Sequence, residues 1–350
     1  MREEIKSLTS LRFFAALWVF IFHINLRWPL PMPAPLRSLV SHGAVGMSIF
    51  FILSGFVLGA RYREGIESLA VYSVRRFGRI YPVYMLAALV TLPFFTVTQS
   101  GPQGWLEGTF VTLANILMLQ AWFPPLINYW NVGASWSLSA EAFFYASFPL
   151  LIKAMLSASN RSLTLAIAVA YALSVFPGLG YLLVPDSPTF FYSMPIFRLP
   201  EFVVGVGASV LVNRKALRFS APISVCLGSL SVLTVFLAVI PPSSIYVTAN
   251  IIAVPCFTLI IVMLAQKSPS WLEHPLLSLL GRASYAFYSL QPLVILTMIL
   301  LQKNSPSWSP IPTLLLSFMV LTFLSVLTYN LIEEPTRKWL AQKGARHESR

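Results

Sequence analysis

The sequence predicts an all-α polytopic membrane protein, and three observations carry that prediction. Of the 350 residues, 57% are apolar and only 10% are charged, against about 25% charged in an ordinary soluble domain. The mean hydropathy is +0.74, so the polar surface cannot cover the apolar residues in water. The apolar residues also fall into long uninterrupted runs, each near the 20 or so residues that cross about 30 Å of hydrocarbon as a helix.

Ten such runs lie near 10–28, 44–60, 80–98, 137–155, 162–184, 195–212, 221–240, 245–266, 276–301 and 311–332. The first begins after Arg2 and Lys6 and ends in a Pro-rich stretch without a small-residue cleavage pattern, so it reads as a retained span, not a cleaved leader. An eleventh segment, 109–122, is short and contains Asn115 and Gln120. Basic residues decide its topology. With ten spans and a cytoplasmic N-terminus, 20 of the 24 lysines and arginines fall on the cytoplasmic side, whereas a crossing at 109–122 leaves 10 inside and 14 outside. The positive-inside bias therefore predicts about ten transmembrane helices, a re-entrant or interfacial element near 109–122, and both termini cytoplasmic. Residues 1–335 read as a single integral-membrane domain and 336–350 as a basic cytoplasmic tail.

This organisation excludes several functions. The net charge of +12 reflects cytoplasmic loop flanks, not a nucleic-acid surface. Cys226, Cys256 and the histidines at 23, 42, 274 and 347 form no metal-type spacing. Chemistry has to occur inside the helices or at their mouths, where ionisable groups are costly and mark function.

Arg12 and His23 share the first span. Eleven residues apart, they project from nearly the same face, about 16 Å apart along the axis, with Ala16 and Val19 between them. That face reads as a shallow groove with a cation at one end, although snorkelling of Arg12 and helix-to-helix hydrogen bonding by His23 explain the same spacing. In the second span Ser54 precedes Gly55, which with Gly59 has the small-xxx-small spacing of close helix packing. Between the second and third spans, RRFGRIYP places Arg76 and Arg79 at i, i+3 with Arg75 beside them. Planar guanidinium groups suit phosphate, and they equally suit an ordinary cytoplasmic flank. Glu141, in WSLSAEAFFY, is an intramembrane carboxylate without capping-box spacing. Arg198 and Glu201, in RLPEFVVG, are spaced to pair with each other, and Glu333-Glu334-Pro335 closes the last span.

Taken together, LTSLRFFAALWVFIFH (8–23), GMSIFFILSGF (46–56), RRFGRIYP (75–82), WSLSAEAFFY (136–145), RLPEFVVG (198–205), GRASYAFYSLQP (281–292) and Glu333-Glu334-Pro335 resemble, in the same order, the motifs of the acyltransferase-3 family. The resemblance implies a bacterial inner-membrane O-acyltransferase. It implies acetyl-CoA, or another short acyl-CoA, as co-substrate from the cytoplasm, a glycan or small-molecule hydroxyl as acceptor, and no tightly bound cofactor. By the same resemblance His23 matches the family's essential first-span histidine, Arg12 its LR arginine, Arg76 and Arg79 its R-x-x-R pair, Glu141 its S-L-S-x-E carboxylate and Glu333 its E-x-P glutamate. Gln291 stands where the family often has histidine.

The two readings converge on one expectation. Coenzyme A phosphates dock on Arg75, Arg76 and Arg79, the pantetheine arm passes Arg12 along Ala16 and Val19, His23 acts as general base, and Glu141 orients it. Ser54, Trp136, Arg198, Glu201 and Glu333 form the supporting and acceptor side, with Trp130 near the outer mouth. The competing reading is a transporter or flippase whose His, Glu and Arg residues line a substrate path.

Overall fold

The computed structural model describes residues 4–94, 102–128, 135–183, 188–219, 222–240, 250–303 and 308–348, and their regular structure is all helix, with no strand among them. The principal helices are α1 (Lys6–Arg27), α2 (Ala34–Ser41), α3 (Gly46–Arg61), α4 (Leu69–Thr91), α5 (Pro102–Ile116), α6 (Ser135–Ser157), α7 (Asn160–Leu183), α8 (Pro188–Ser193), α9 (Pro195–Asn213), α10 (Pro222–Val239), α11 (Asn250–Gln266), α12 (Pro275–Arg282), α13 (Ser284–Gln302), α14 (Pro310–Thr328) and α15 (Glu334–Glu348). Helix is what hydrocarbon demands, because it satisfies every backbone donor and acceptor within its own segment.

Among the described residues, seven helices are long and apolar enough to cross a membrane: 6–27, 43–61, 69–94, 160–178, 190–213, 284–302 and 310–340. Two more apolar helices, Ile223–Val239 and Asn250–Gln266, are shorter. Leu150, Leu165, Val235 and Phe323 are all well exposed, as residues facing lipid are.

Three boundaries differ from the sequence reading. The third span begins at Leu69, not near 80, because Ser68 caps it by accepting from Val71 N at 3.3 Å. Arg75, Arg76 and Arg79 therefore lie on a helix, not in a loop between spans. The segment expected near 109–122 is helix α5, starting at Pro102 and ending at Ile116, after which Met118 takes φ +55°. The expected ninth span, 276–301, is broken at Ala283 between α12 and α13.

The chain divides into two compact units. The first comprises Met1–Gly65, Ser147–Tyr192 and Ile196–Arg282. Its core joins residues of α1, α3, α9, α10 and α11, including Leu8, Ile52, Phe56, Val204, Leu237 and Phe257. Helices α3 and α9 meet through glycine: a Cβ on Gly55 would lie 2.1 Å from Phe202 O, and one on Gly205 2.0 Å from Ile52 O. The Gly55/Gly59 spacing is thus a packing device. Ser7 and Ser10 of α1 donate to Leu264 O at 3.0 Å and Leu272 O at 2.6 Å, tying α1 to the end of α11 and the turn beyond it.

The second unit comprises Ile66–Ala146, Ser193–Pro195 and Ala283–Arg350. Helix α14 runs into a π-turn at Tyr329–Glu333 before α15 begins. Pro335 explains the wide turn, since its ring crowds the carbonyl four residues back and it supplies no N–H there.

Candidate active site

The second unit gathers the arginine pair, the two carboxylates of the motifs and several tyrosines. Arg76 and Arg79 are one turn apart on α4 but have different surroundings. The Arg79 guanidinium makes an ion pair with Glu333, whose side chain is completely buried while that of Arg79 retains 18% exposure. It also lies 5.6 Å from the ring of Tyr285, whose hydroxyl donates to Ile80 O at 2.7 Å. The π-turn ends at Glu333, and the neighbouring Glu334 pairs instead with Arg337 and Lys338 of α15 and accepts from the Tyr329 hydroxyl.

The Arg76 guanidinium sits 5.9 Å from the Tyr72 ring and 5.6 Å from the Tyr145 ring, and its buried Nε has no hydrogen-bond partner. No ion pair reaches it among the described residues. Tyr72 and Tyr145 hold each other in place, because the Tyr72 hydroxyl donates to Tyr145 O at 2.8 Å. The Tyr145 hydroxyl donates to Glu141 one turn earlier on α6. Arg76 is thus a half-buried cation held against two aromatic faces with its charge unmatched, while the charge of Arg79 is answered within the fold.

The serines around Glu141 position its helix. Ser137 Oγ donates to Tyr288 Oη at 2.9 Å and Ser139 Oγ to Met118 O at 2.5 Å. Gln120 donates to Ser135 O at 2.8 Å and to Tyr84 Oη at 3.2 Å, and Tyr84 in turn donates to Asn115 O at 2.6 Å. The polar residues that interrupt 109–122 are therefore buried, bonded parts of the corner between α5 and α6. Trp136 is also buried there, at 3% exposure, while Trp130 lies outside the described residues.

The first unit holds Arg12, His23, Ser54, Arg198 and Glu201. Helix α1 is continuous from Lys6 to Arg27 and carries both Arg12 and His23, with the His23 ring 5.2 Å from that of Phe22. Ala16 and Val19 between them are 0% and 2% exposed, and a Cβ on Gly46 of α3 would lie 3.0 Å from Val19. The shallow groove expected along that face is closed by packing, because the face is as apolar as the helices that seek it. Ser54 is buried on α3.

Arg198 and Glu201, expected at an outer mouth, are 2% and 0% exposed and paired with each other at 3.2 Å. Ser48 Oγ lies 3.3 Å from Glu201 Oε1, from Asn250 Oδ1 and from Arg198 Nη2, and Asn250 Nδ2 donates to Glu201 Oε1 at 2.7 Å. The Arg198 guanidinium also faces Phe51 and Tyr192 at 5.2 and 5.4 Å.

Sequence reasoning missed the tyrosines. Tyr72, Tyr84, Tyr145, Tyr285 and Tyr288 appear along the chain as aromatic members of apolar runs. Their one sequence signal is spacing: Tyr72 and Tyr145 lie four residues from Arg76 and Glu141, one helical turn.

A family model described as an acyltransferase domain, that of the acyltransferase-3 family, matches residues 5–330. The chain belongs to the acyltransferase-3 family. Its relatives include the acyltransferase MdmB of Streptomyces mycarofaciens, 29% identical over 316 residues that cover 83% of this chain and 79% of that protein. The O-acetyltransferase OatA of Staphylococcus aureus is 23% identical over 362 residues, covering 95% of this chain but 57% of that longer protein. No solved structure matches. As an acyltransferase-3 protein with several membrane-length helices, the chain is a membrane enzyme that transfers acyl groups, and the transporter reading gives way to that membership.

Proposed function

We propose that this acyltransferase moves an acetyl group from cytoplasmic acetyl-CoA to a hydroxyl of an exported or cell-surface glycan, or of a small molecule, across a bacterial inner membrane. Residues 1–335 act as one catalytic domain with both termini cytoplasmic. The observation that supports this reading best is Arg76, a cation braced by Tyr72 and Tyr145 and without an ion pair among the described residues. A half-buried guanidinium in that state suits bidentate binding of phosphate, and acyl-CoA carries phosphates where a free acyl donor does not. Arg75, next to Arg76 on α4, adds positive charge to the donor side, and Arg12 on α1 is likewise assigned to acyl-CoA. Arg79 acts through Glu333, fixing the end of α14 against α4.

In the transfer, the acceptor oxygen attacks the thioester carbonyl carbon while the His23 imidazole takes the hydroxyl proton. The carbon–sulfur bond then breaks, and the proton passes to the departing coenzyme A thiolate. Glu141, held by Tyr145, is the carboxylate we assign to the same reaction. Ser54, Arg198 and Glu201 of the first unit and Trp136 of the second are assigned to the acceptor side. The acetyl group and the hydroxyl acceptor follow the name of the O-acetyltransferase OatA.

The test measures coenzyme A release from acetyl-CoA by membranes containing the protein, with candidate glycans added. Release that requires an acceptor, is lost in His23→Ala, and shows a KM for acetyl-CoA raised at least about tenfold in Arg76→Ala with kcat little changed is the expected result. Release that survives in His23→Ala, or an Arg76→Ala enzyme with unaltered KM, overturns the assignment.

A further inference from the structure

The first unit also contains a cavity that takes no part in the acyl-transfer reading. It is a groove of about 540 Å³ between α1, α10 and α11. Its walls are almost wholly aliphatic and aromatic, with Phe14, Leu230 and Phe257 typical of them. The Trp18 indole in the wall donates to Leu39 O at 2.9 Å, so it offers nothing to a ligand. Among the described residues, Lys267 is the only charged side chain that lines the groove, and it directly follows the end of α11, with Trp271, another lining residue, four positions on.

Length and charge together identify an occupant. Along α10 the lining runs from Ile223 to Thr234, about 16 Å at 1.5 Å per residue. That is the depth of one leaflet, half of about 30 Å of hydrocarbon. The Lys267 end is also the basic end. Gln266 donates to Leu217 O at 3.0 Å and accepts from Phe219 N at 3.4 Å, which holds the loop after α9 beside it. That loop presents Lys215 and Arg218 exposed, whereas Arg214 is occupied by the carbonyls of Met155, Leu156 and Ala158. Three exposed cations thus gather at this end, with Glu273 the acidic residue nearest in sequence to Trp271. None of the three cations has an ion pair among the described residues.

We propose that this groove is a binding site for one anionic phospholipid of the adjoining leaflet. An acyl chain lies between α1, α10 and α11, and the headgroup phosphate sits on Lys267 with Lys215 and Arg218 at the rim. Trp271, which also lines the groove, is 59% exposed, as an interfacial tryptophan at headgroup depth is. A zwitterionic lipid fills the same apolar volume but leaves the cations less well answered, so preference for net negative charge is the signature of the site. Leu11, Phe14, Ala15 and Trp18 contribute the α1 wall, so the lipid packs against the helix that carries Arg12 and His23.

The chain contains its own reporter, because Cys226 lines the groove and is half-buried while Cys256 is buried. Full-length Cys256→Ala protein is delipidated in neutral detergent, and alkylation of Cys226 by a maleimide is timed with phosphatidylglycerol or phosphatidylcholine of identical chains. The expected result is protection by phosphatidylglycerol at about tenfold lower concentration than by phosphatidylcholine. That advantage disappears in Lys267→Glu, whose exposed position leaves folding intact by size-exclusion chromatography. In Leu230→Trp, which fills the groove, lipid no longer changes the rate. Equal protection by the two lipids, or an advantage that survives Lys267→Glu, overturns the proposal. So does protection that follows protein concentration in place of lipid, since a second copy then covers the face. The readout is thiol reactivity, so its failure is separate from any failure of the acyltransferase assignment.

Discussion

Replacing Arg79 by leucine should destabilise the protein more than replacing its partner Glu333 by glutamine, although both changes break the same ion pair. The asymmetry comes from exposure. Glu333 is fully buried, so loss of Arg79 leaves a carboxylate without water or a counter-charge, a change that costs about 3–5 kcal/mol. Arg79 keeps 18% of its side chain exposed and faces Tyr285 at 5.6 Å. In Glu333→Gln the amide oxygen still accepts from the guanidinium, so the expected loss is about 1–2 kcal/mol. The double variant Arg79→Leu/Glu333→Gln removes both charges and should lie within about 2 kcal/mol of the parent. The summed single losses therefore exceed the double loss by about 2 kcal/mol or more. Unfolding of the four proteins in mixed micelles, titrated with a denaturing detergent and followed by circular dichroism, measures this coupling. Coupling below about 0.5 kcal/mol, or a Glu333→Gln protein less stable than Arg79→Leu, would refute the ion pair as the reason Glu333 is buried. The cycle also separates folding from catalysis, since a destabilised Arg79 variant loses activity without having touched a phosphate.

Two further outcomes follow from the first unit. Gly205→Ala places a methyl group 2.0 Å from the Ile52 carbonyl, which the backbone cannot yield, and should cost about 3 kcal/mol, while Gly228→Ala, with nothing within 4 Å of the new atom, should be neutral or slightly stabilising; equal unfolding midpoints for the two would refute the close α3–α9 approach. Burial lowers the pKa of His42 from its ordinary value, against the opposing effect of its hydrogen bond to Ser38 O. The unfolded chain thus takes up the proton near pH 6.5 and the native protein at lower pH, so this contribution is complete above that pH and shrinks as pH falls below it, by at most about 1.4 kcal/mol per unit. His42→Gln should flatten that part of the profile, and parallel stability curves for variant and parent between pH 7.5 and 5.5 would show that His42 does not titrate on unfolding.

The candidate site residues divide cleanly by how legible they are in the sequence. Arg12, His23, Arg76, Arg79, Glu141 and Glu333 stood out because charge is scarce in apolar runs, so each ionisable residue is visible against its background. The tyrosines that brace Arg76 and Arg79 have no such contrast. The Ala16/Val19 face reads as a groove by spacing alone, yet Gly46 closes it, since an apolar face is equally a ligand track and a packing surface.

Composition and period determined by themselves that this chain is helical and membrane-embedded, because apolar fraction and run length are properties of each segment and need no partner. Motif order was also sufficient to place it in its family. Which polar groups answer one another was decided only in three dimensions. Arg79 meets Glu333, 254 positions away, and Asn250 meets Glu201 and the carbonyl of Ser174. Inside an apolar bundle a charge is tolerated only beside its counterpart. The choice of counterpart depends on which helices become neighbours, and linear spacing does not contain that information.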